Sequence, residues 1–389
     1  MNIIRTFHPV GQGAFYSERF YERGSKESKY IIVFDCGTAW GGVSKSKKVV
    51  TQAFNNKDTI DYLFISHLDF DHISLVDTLL KSVKAVRHIV LPLITVEDLM
   101  IVMAYHQLSG KGTARFLRRI INHLRGDYDD DYLDSDYSVV FVGDEVEDNN
   151  DTGNGTIWKN GTNQQAGLAP DWVLIPYNIG YRSRKQDLVQ QFKKVVTKPE
   201  FNSQLQNIGE APVQNAEDLY GRLQEEGFVG KVISNTALKN AIKTAYEKLP
   251  GGTNENSFLL YSGPSEACES YILSDTLPCY YWYWFEGYEP GCLYTGDSTC
   301  DLQGWKDVKY TRVWDKIGTI QLPHHGSLES FDVNANSIDK RYIFPVSCGS
   351  TNSYGHPSGK VLAYLMTQGC KPVIVTEMAG TVFVERIVG

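Results

Sequence analysis

Four side chains that commonly bind metals crowd into the segment Ser66-His67-Leu68-Asp69-Phe70-Asp71-His72. It follows the apolar, β-prone run Tyr62–Ile65 and precedes Ile73, Leu75, Val76, Leu79, Leu80 and Val83, which have helical spacing. A loop leaving the end of a strand can point alternate side chains to opposite sides of one pocket. His67 and Asp69 can therefore converge on one ion while Asp71 and His72 reach a second. The competing reading is a polar turn that caps the next helix, with Asp71 or Ser74 as N-cap.

Three later segments place similar chemistry at strand ends. Leu293-Tyr294-Thr295-Gly296-Asp297-Ser298-Thr299 sets a carboxylate after a glycine that lets the backbone turn sharply. Taken alone it is an ordinary turn; beside the first motif, Asp297 can bridge two cations, which two-metal hydrolases hold about 3.5–4 Å apart. Gln321-Leu322-Pro323-His324-His325-Gly326-Ser327 ends another strand in consecutive histidines, and the chain has only nine histidines in all. Asn352-Ser353-Tyr354-Gly355-His356-Pro357 adds His356 ahead of a helix, as a cap residue or as a phosphate contact and proton donor.

The elements that must position these residues are short strands with glycine-rich joints over the first ninety residues: 3–10, 15–21, 30–34 and 62–65. Strand character resumes at 256–261 and runs through 280–285, 291–294, 319–322 and 341–345, then a helix over 358–366 and strands over 372–376 and 381–386. Between them, helical spacing covers 96–125 with a stop at Gly126, and then 185–195, 215–226 and 235–248; two strand-like runs, 138–142 and 172–177, interrupt it. The domains read as a β-rich body over 1–95 and 251–389, carrying a mainly helical insertion or cap over 96–250. Two β-rich halves with helices suggest two packed sheets with helices outside.

Composition is that of a folded globular chain: 389 residues, 42% apolar and 22% charged. The longest apolar runs, such as 88–94, fall well short of the ~20 residues of a spanning helix, and MNIIRTFHPV has no basic region followed by an apolar stretch. A membrane role and signal-peptide secretion are not expected. Seven scattered cysteines without a CxxC pair point to a reducing cytoplasm. The formal charge of −8 argues against a general nucleic-acid coat, but eleven acids and no Lys or Arg lie between Gly126 and Asp151. The rest is near neutral, with basic clusters at Lys45, Lys47 and Lys48, at Arg115, Arg118, Arg119 and Arg125, and at Arg182, Arg184 and Lys185. An anionic substrate remains compatible. The aromatic strand 279–285 reads as buried between layers or as a base-stacking face.

HLDFDH, the strand ending in TGD, PHHGS and the later GHP together resemble the metallo-β-lactamase fold. The likeness is greatest to its branch containing the hydrolase domain of ComEC-type DNA-uptake competence proteins. VGQG at 10–13, FDCGT at 34–38 and NENS at 254–257 match that branch in kind and order. The resemblance covers roughly 1–95 and 251–389. It implies an α/β (α+β) chain folded as an αββα sandwich, with two divalent ions, zinc or manganese and with magnesium admissible, at one edge of the sheets. By position, His67 and Asp69 would bind the first ion, Asp71 and His72 the second, and Asp297 would bridge. In PHHG the second histidine takes the place of the usual ligand, favouring His325 over His324, and Asp35 would order the metal loop. The chain departs from the general HxHxDH motif at Asp69, a harder donor that shifts preference toward manganese or magnesium. VGQGAFY also lacks the acidic residue common after GQG in that branch.

The implied activity is a metal-dependent phosphodiesterase or nuclease acting on a nucleic acid or nucleotide. Water activated between the ions would attack phosphorus in line, oriented by Asp71, while His324, Ser327 and His356 contact the phosphate or protonate the leaving oxygen. Alternatives are hydrolysis of another small ester, such as a phosphorylcholine, lactone or thioester, or a non-catalytic scaffold on the same fold. The 96–250 block would serve as a specificity cap or as the docking surface for a protein partner.

Overall fold

Strands with apolar residues on both faces build two stacked sheets in the computed structural model, which describes residues 1–39, 43–127, 137–144, 152–164, 171–179, 184–249, 257–266, 271–275 and 288–389. The first sheet contains β1 (Asn2–Phe7), β2 (Phe15–Tyr21), β3 (Ser28–Cys36), β4 (Thr59–Phe64), β5 (Ala85–Pro92), β6 (Ser138–Val142), β7 (Thr156–Trp158), β10 (Ile272–Asp275) and β15 (Phe383–Val388). The second contains β8 (Trp172–Asn178), β9 (Phe258–Pro264), β11 (Gly291–Tyr294), β12 (Ile317–Ile320), β13 (Ile343–Ser347) and β14 (Lys371–Val375). Their spatial orders are β10-β15-β1-β2-β3-β4-β5-β6-β7 and β14-β13-β12-β11-β9-β8. Strands β3 to β7 run parallel, as do β11 to β14; the other pairings are antiparallel.

Strand β3 shows why four layers form. Ile32 and Phe34 face the second sheet and join Phe64, Phe258, Leu260 and Tyr294 in a shared core. Ile31 and Val33 point the other way, where Val50, Leu79, Leu99 and Leu117 of the helices Val43–Ala53, Val76–Ser82, Val96–Leu108 and Ala114–Arg125 cover them. On the far side, the helix Gly359–Thr367 lays Val361 and Leu365 on the second sheet beside Trp305 and Trp314. The fold is an αββα sandwich, the class the sequence leads one to expect.

A charged cluster lies inside it. Arg5 of β1 donates from Nε to Glu18 Oε1 at 2.7 Å and from Nη1 to Glu385 Oε2 at 2.5 Å. Its Nη2 donates across to the Ser262 and Pro290 carbonyls at 3.3 and 3.1 Å. Ser262 and Tyr294 hydroxyls bond Glu18, and Thr319 donates to Glu385, so hydroxyls of the second sheet satisfy the carboxylates of the first.

The 96–250 block divides between the sheets and a separate helical cluster. Its expected strands at 138–142 and 172–177 enter the two sheets, as β6 and β8. The helices Lys185–Val196, Pro199–Asn207, Ala216–Arg222, Glu226–Ile233 and Thr236–Glu247 share a core of Leu188, Phe192, Leu205, Leu219 and Val232, which continues onto Ile101, Ala104 and Leu108. Asn215 and Asn235 cap two of them with side-chain oxygens, and Gly126, in left-handed backbone, ends Ala114–Arg125 as its sequence predicts.

The 279–285 segment, most of the acidic run, Arg182 and residues 254–256 lie outside the described residues. Of the basic residues, Arg118 forks onto Glu226 and Lys185 pairs with Glu97. Among the described residues, no helix is long and apolar enough to cross a membrane, and Cys36, Cys292, Cys300, Cys348 and Cys370 are buried free thiols.

Candidate metal centre

The loops that follow β3, β4, β11, β12 and β13 meet at one edge of the sandwich. Ligand sites in α/β sheets gather at such carboxyl ends of strands. Asp71, His72, Asp297 and His325 bring one ligand atom each to within 4.8 Å of one another. Asp297 is central: Oδ1 lies 3.2 Å from His72 Nε2, and Oδ2 lies 3.8 Å from His325 Nε2 and 4.0 Å from His67 Nε2. Asp71 Oδ2 is 3.1 Å from His325 Nε2.

A set of hydrogen bonds aims these rings. His325 Nδ1 donates to the Ser347 carbonyl at 2.9 Å, His72 Nδ1 meets Asp35 Oδ2 at 2.8 Å, and His67 Nδ1 lies 3.0 and 3.2 Å from the Ser66 and Ser257 hydroxyls. With each Nδ1 engaged, each Nε2 faces the centre, the arrangement that orients metal-binding imidazoles. Asp35 also accepts from the Ser66 amide and hydroxyl, both at 2.7 Å, and so ties the loop after β4 to the end of β3.

Backbone geometry is unusual at the same place. Asp35, His324 and His325 adopt φ of 55°, 47° and 54°, left-handed values that non-glycine residues seldom take and that concentrate at functional sites. Gly37 packs so tightly that a Cβ there would stand 2.3 Å from the Asp71 carbonyl oxygen. Gly296, at φ +55°, brings the turn of Asp297 against Ser66.

Buried His67 Nε2 has no hydrogen-bond partner among the described residues, and His72 Nε2 and Asp297 Oδ1 have none beyond each other at 3.2 Å. Orphaned polar atoms are costly, and a cation among them satisfies all three. The residues present fit divalent metal ions. Burial, then the neighbouring His72, lowers the His67 pKa, which favours the neutral form that ligates. Burial opposes charge on His72, but Asp297, Asp35 and Asp71 outweigh it and raise His72 well above the ordinary imidazole range. Burial would likewise raise Asp297, yet His72 and His325 hold it well below the usual carboxylate range.

The remaining residues singled out by sequence stand around this group. Asp69 occupies the N-cap position of the short helix Phe70–Ile73, without a side-chain capping bond, and lines a pocket with His67; neither Asp71 nor Ser74 is the N-cap of that helix or the next, and Ser74 is instead the C-cap of the first. His324 sits at the rim, its Nε2 3.7 Å from Asp297 Oδ2 and its Nδ1 2.7 Å from Ser330 Oγ. The His356 ring lies 5.8 Å behind that of His324. Ser327 Oγ accepts from the Glu329 amide at 3.2 Å, within the turn itself. Sequence reasoning assigned no role to Ser66, Ser257, the Ser347 carbonyl or Gln321, whose side-chain oxygen accepts from the Thr295 and Gly296 amides. Ser66 adjoins His67 and Gln321 lies two residues before the PHHG segment, and that adjacency is their one available signal. His88, His106 and His123 serve packing: His88 stacks on Tyr62, His106 bonds Thr113, and His123 stacks on Tyr137.

Residues 26–98 match the model of the metallo-beta-lactamase superfamily, a stretch that contains the whole Ser66–His72 motif. No curated protein matches the chain. Among solved structures, an archaeal metallo-beta-lactamase superfamily protein from Sulfolobus tokodaii is similar at 13% identity, with a TM-score of 0.21. The alignment covers 45% of this chain and 54% of that one, about half the length of the solved protein.

Proposed function

We propose that this protein is a metal-dependent hydrolase, foremost a phosphodiesterase, working with two divalent cations. The observation that carries the reading is the convergence of Asp71, His72, Asp297 and His325, with His67 beside them, on a buried space lined by unsatisfied ligand atoms. His67 and Asp69 would hold one cation, Asp71, His72 and His325 the other, and Asp297, which presents one oxygen to His72 and the other to His67 and His325, would serve both. When bound, such a pair supplies a hydroxide nucleophile near neutral pH and neutralises charge growing on the substrate's oxygens.

The chain's own side chains do the rest. Asp71 is placed to accept a proton and orient the attacking water. His324, fixed by Ser330 and half-buried at the rim, is placed to protonate the leaving oxygen, with His356 next to it as a second contact. Ser327, next to the turn that carries His324, accepts from the Glu329 amide and would contact the phosphate from there. Zinc, manganese and magnesium all suit this set of imidazoles and carboxylates. A nucleotide or nucleic-acid diester is the leading substrate class; another small ester is the second reading, supported by the apolar pocket beside His67.

The test is metal analysis followed by hydrolysis of a phosphodiester with and without a chelator. Asp297→Ala and His67→Ala should each abolish metal-dependent turnover while circular dichroism stays that of the parent. Full activity in both variants would refute the assignment.

A further inference from the structure

Beside the centre lies a small pocket that opens in part to solvent. Its floor is the metal loop, His67, Leu68 and Asp69; its walls are Ile94, Ile101 and Val102 on one side and Leu188, Tyr246 and Leu249 of the helical cluster on the other. The wall chemistry is mostly hydrocarbon, with Arg184 as a cation in the lining, and Tyr220 closes a polar corner by donating to Asp98 at 3.3 Å. His67 belongs to both spaces: it lines the pocket, and its unpartnered, buried Nε2 faces Asp297.

We infer that this pocket receives one compact apolar or aromatic group of a small anionic ester, while the reacting centre of that ester lies at Asp297. The inference rests on the hydrolase reading and narrows it, because a small, mostly apolar pocket backed by helices suits one group of a monomeric ligand better than a long strand. Such a strand would need a groove open at both ends and walled by cations. The residues that set the preference come from the helices Val96–Leu108, Lys185–Val196 and Thr236–Glu247 and the chain just after the last, so the helical cluster acts as a specificity element. Val102 is half-buried and projects at the pocket wall, which makes it the least disruptive position at which to fill the space.

The experiment uses two pairs of probes on the metal-loaded full chain. Bis(p-nitrophenyl) phosphate and methyl p-nitrophenyl phosphate share a leaving group and differ in the second ester; phenylphosphonate and methylphosphonate are their inert counterparts for calorimetry. The wild type should favour the aryl ester in kcat/KM, and phenylphosphonate in affinity, by tenfold or more. Val102→Trp, or Val102→Phe if the larger ring prevents folding, should erase both preferences while metal content and turnover of the methyl ester stay within about twofold. Equal affinity of the wild type for the two phosphonates, or a preference that survives filling of the pocket, overturns the inference. Failure to hydrolyse either ester, with selective phosphonate binding intact, would instead remove the hydrolase reading and leave the pocket as a binding site.

Discussion

Consecutive histidines at a strand end pose a question of identity that single atoms decide. His325 gives its Nδ1 proton to the Ser347 carbonyl and turns Nε2 toward Asp71 and Asp297, whereas His324 faces Asp297 from the rim with its other nitrogen on Ser330. His325→Ala is expected to lower bound metal after dialysis, measured by elemental analysis. His324→Ala should keep the metal and lose about 10²-fold in kcat, as for removal of a proton donor. Equal metal loss in both would reverse the two roles. The candidate ligands were legible because their side-chain types are rare and clustered: four potential ligands fall within Ser66–His72. Their supports were not, since Ser257 lies 190 residues from His67 in sequence and the Ser347 contribution is a backbone carbonyl that any residue supplies.

At the scale of elements, the centre depends on how closely the end of β3 approaches the metal loop. A methyl group on Gly37 would meet backbone at the Asp71 carbonyl, which has no soft side chain to swing aside. Gly37→Ala should therefore cost about 1–3 kcal/mol, the usual range for overpacking, and displace Asp71. Urea unfolding and metal titration check it; a variant with parental stability and parental affinity would contradict this account of the loop. Long strands such as β3 and β4, and helices with a clear apolar stripe such as Lys185–Val196, could be read from periodicity because both depend on residue pattern. The three-residue β7 could not, being exposed and too short to alternate, nor could Pro199–Asn207, which buries only Phe201 and Leu205. The 96–125 stretch reads as one helix but is two, Val96–Leu108 and Ala114–Arg125, separated at Gly110 and Gly112.

Across the whole molecule, residues from distant parts of the chain must arrive together: His67 and Asp71 come from the first sheet's loops, Asp297 and His325 from the second's. The relative position of the two sheets is therefore part of the site. The Arg5 cluster joins them, and its removal is expected to be severe. Arg5→Met leaves Glu18 and Glu385 buried without their cation and should cost about 3–5 kcal/mol in denaturant unfolding. It should also weaken metal affinity, although Arg5 touches none of the proposed ligands.

That cluster has a mechanical consequence. Hydrocarbon contact between two stacked layers has no preferred direction of its own, so shape alone sets their alignment. A guanidinium pinned to two acids on its own layer and to the Ser262 and Pro290 carbonyls on the other permits one alignment, because any slip strands charge in a dry space. The sandwich thus carries a dowel between its sheets, and the accuracy with which the loops meet at the working edge is inherited from it.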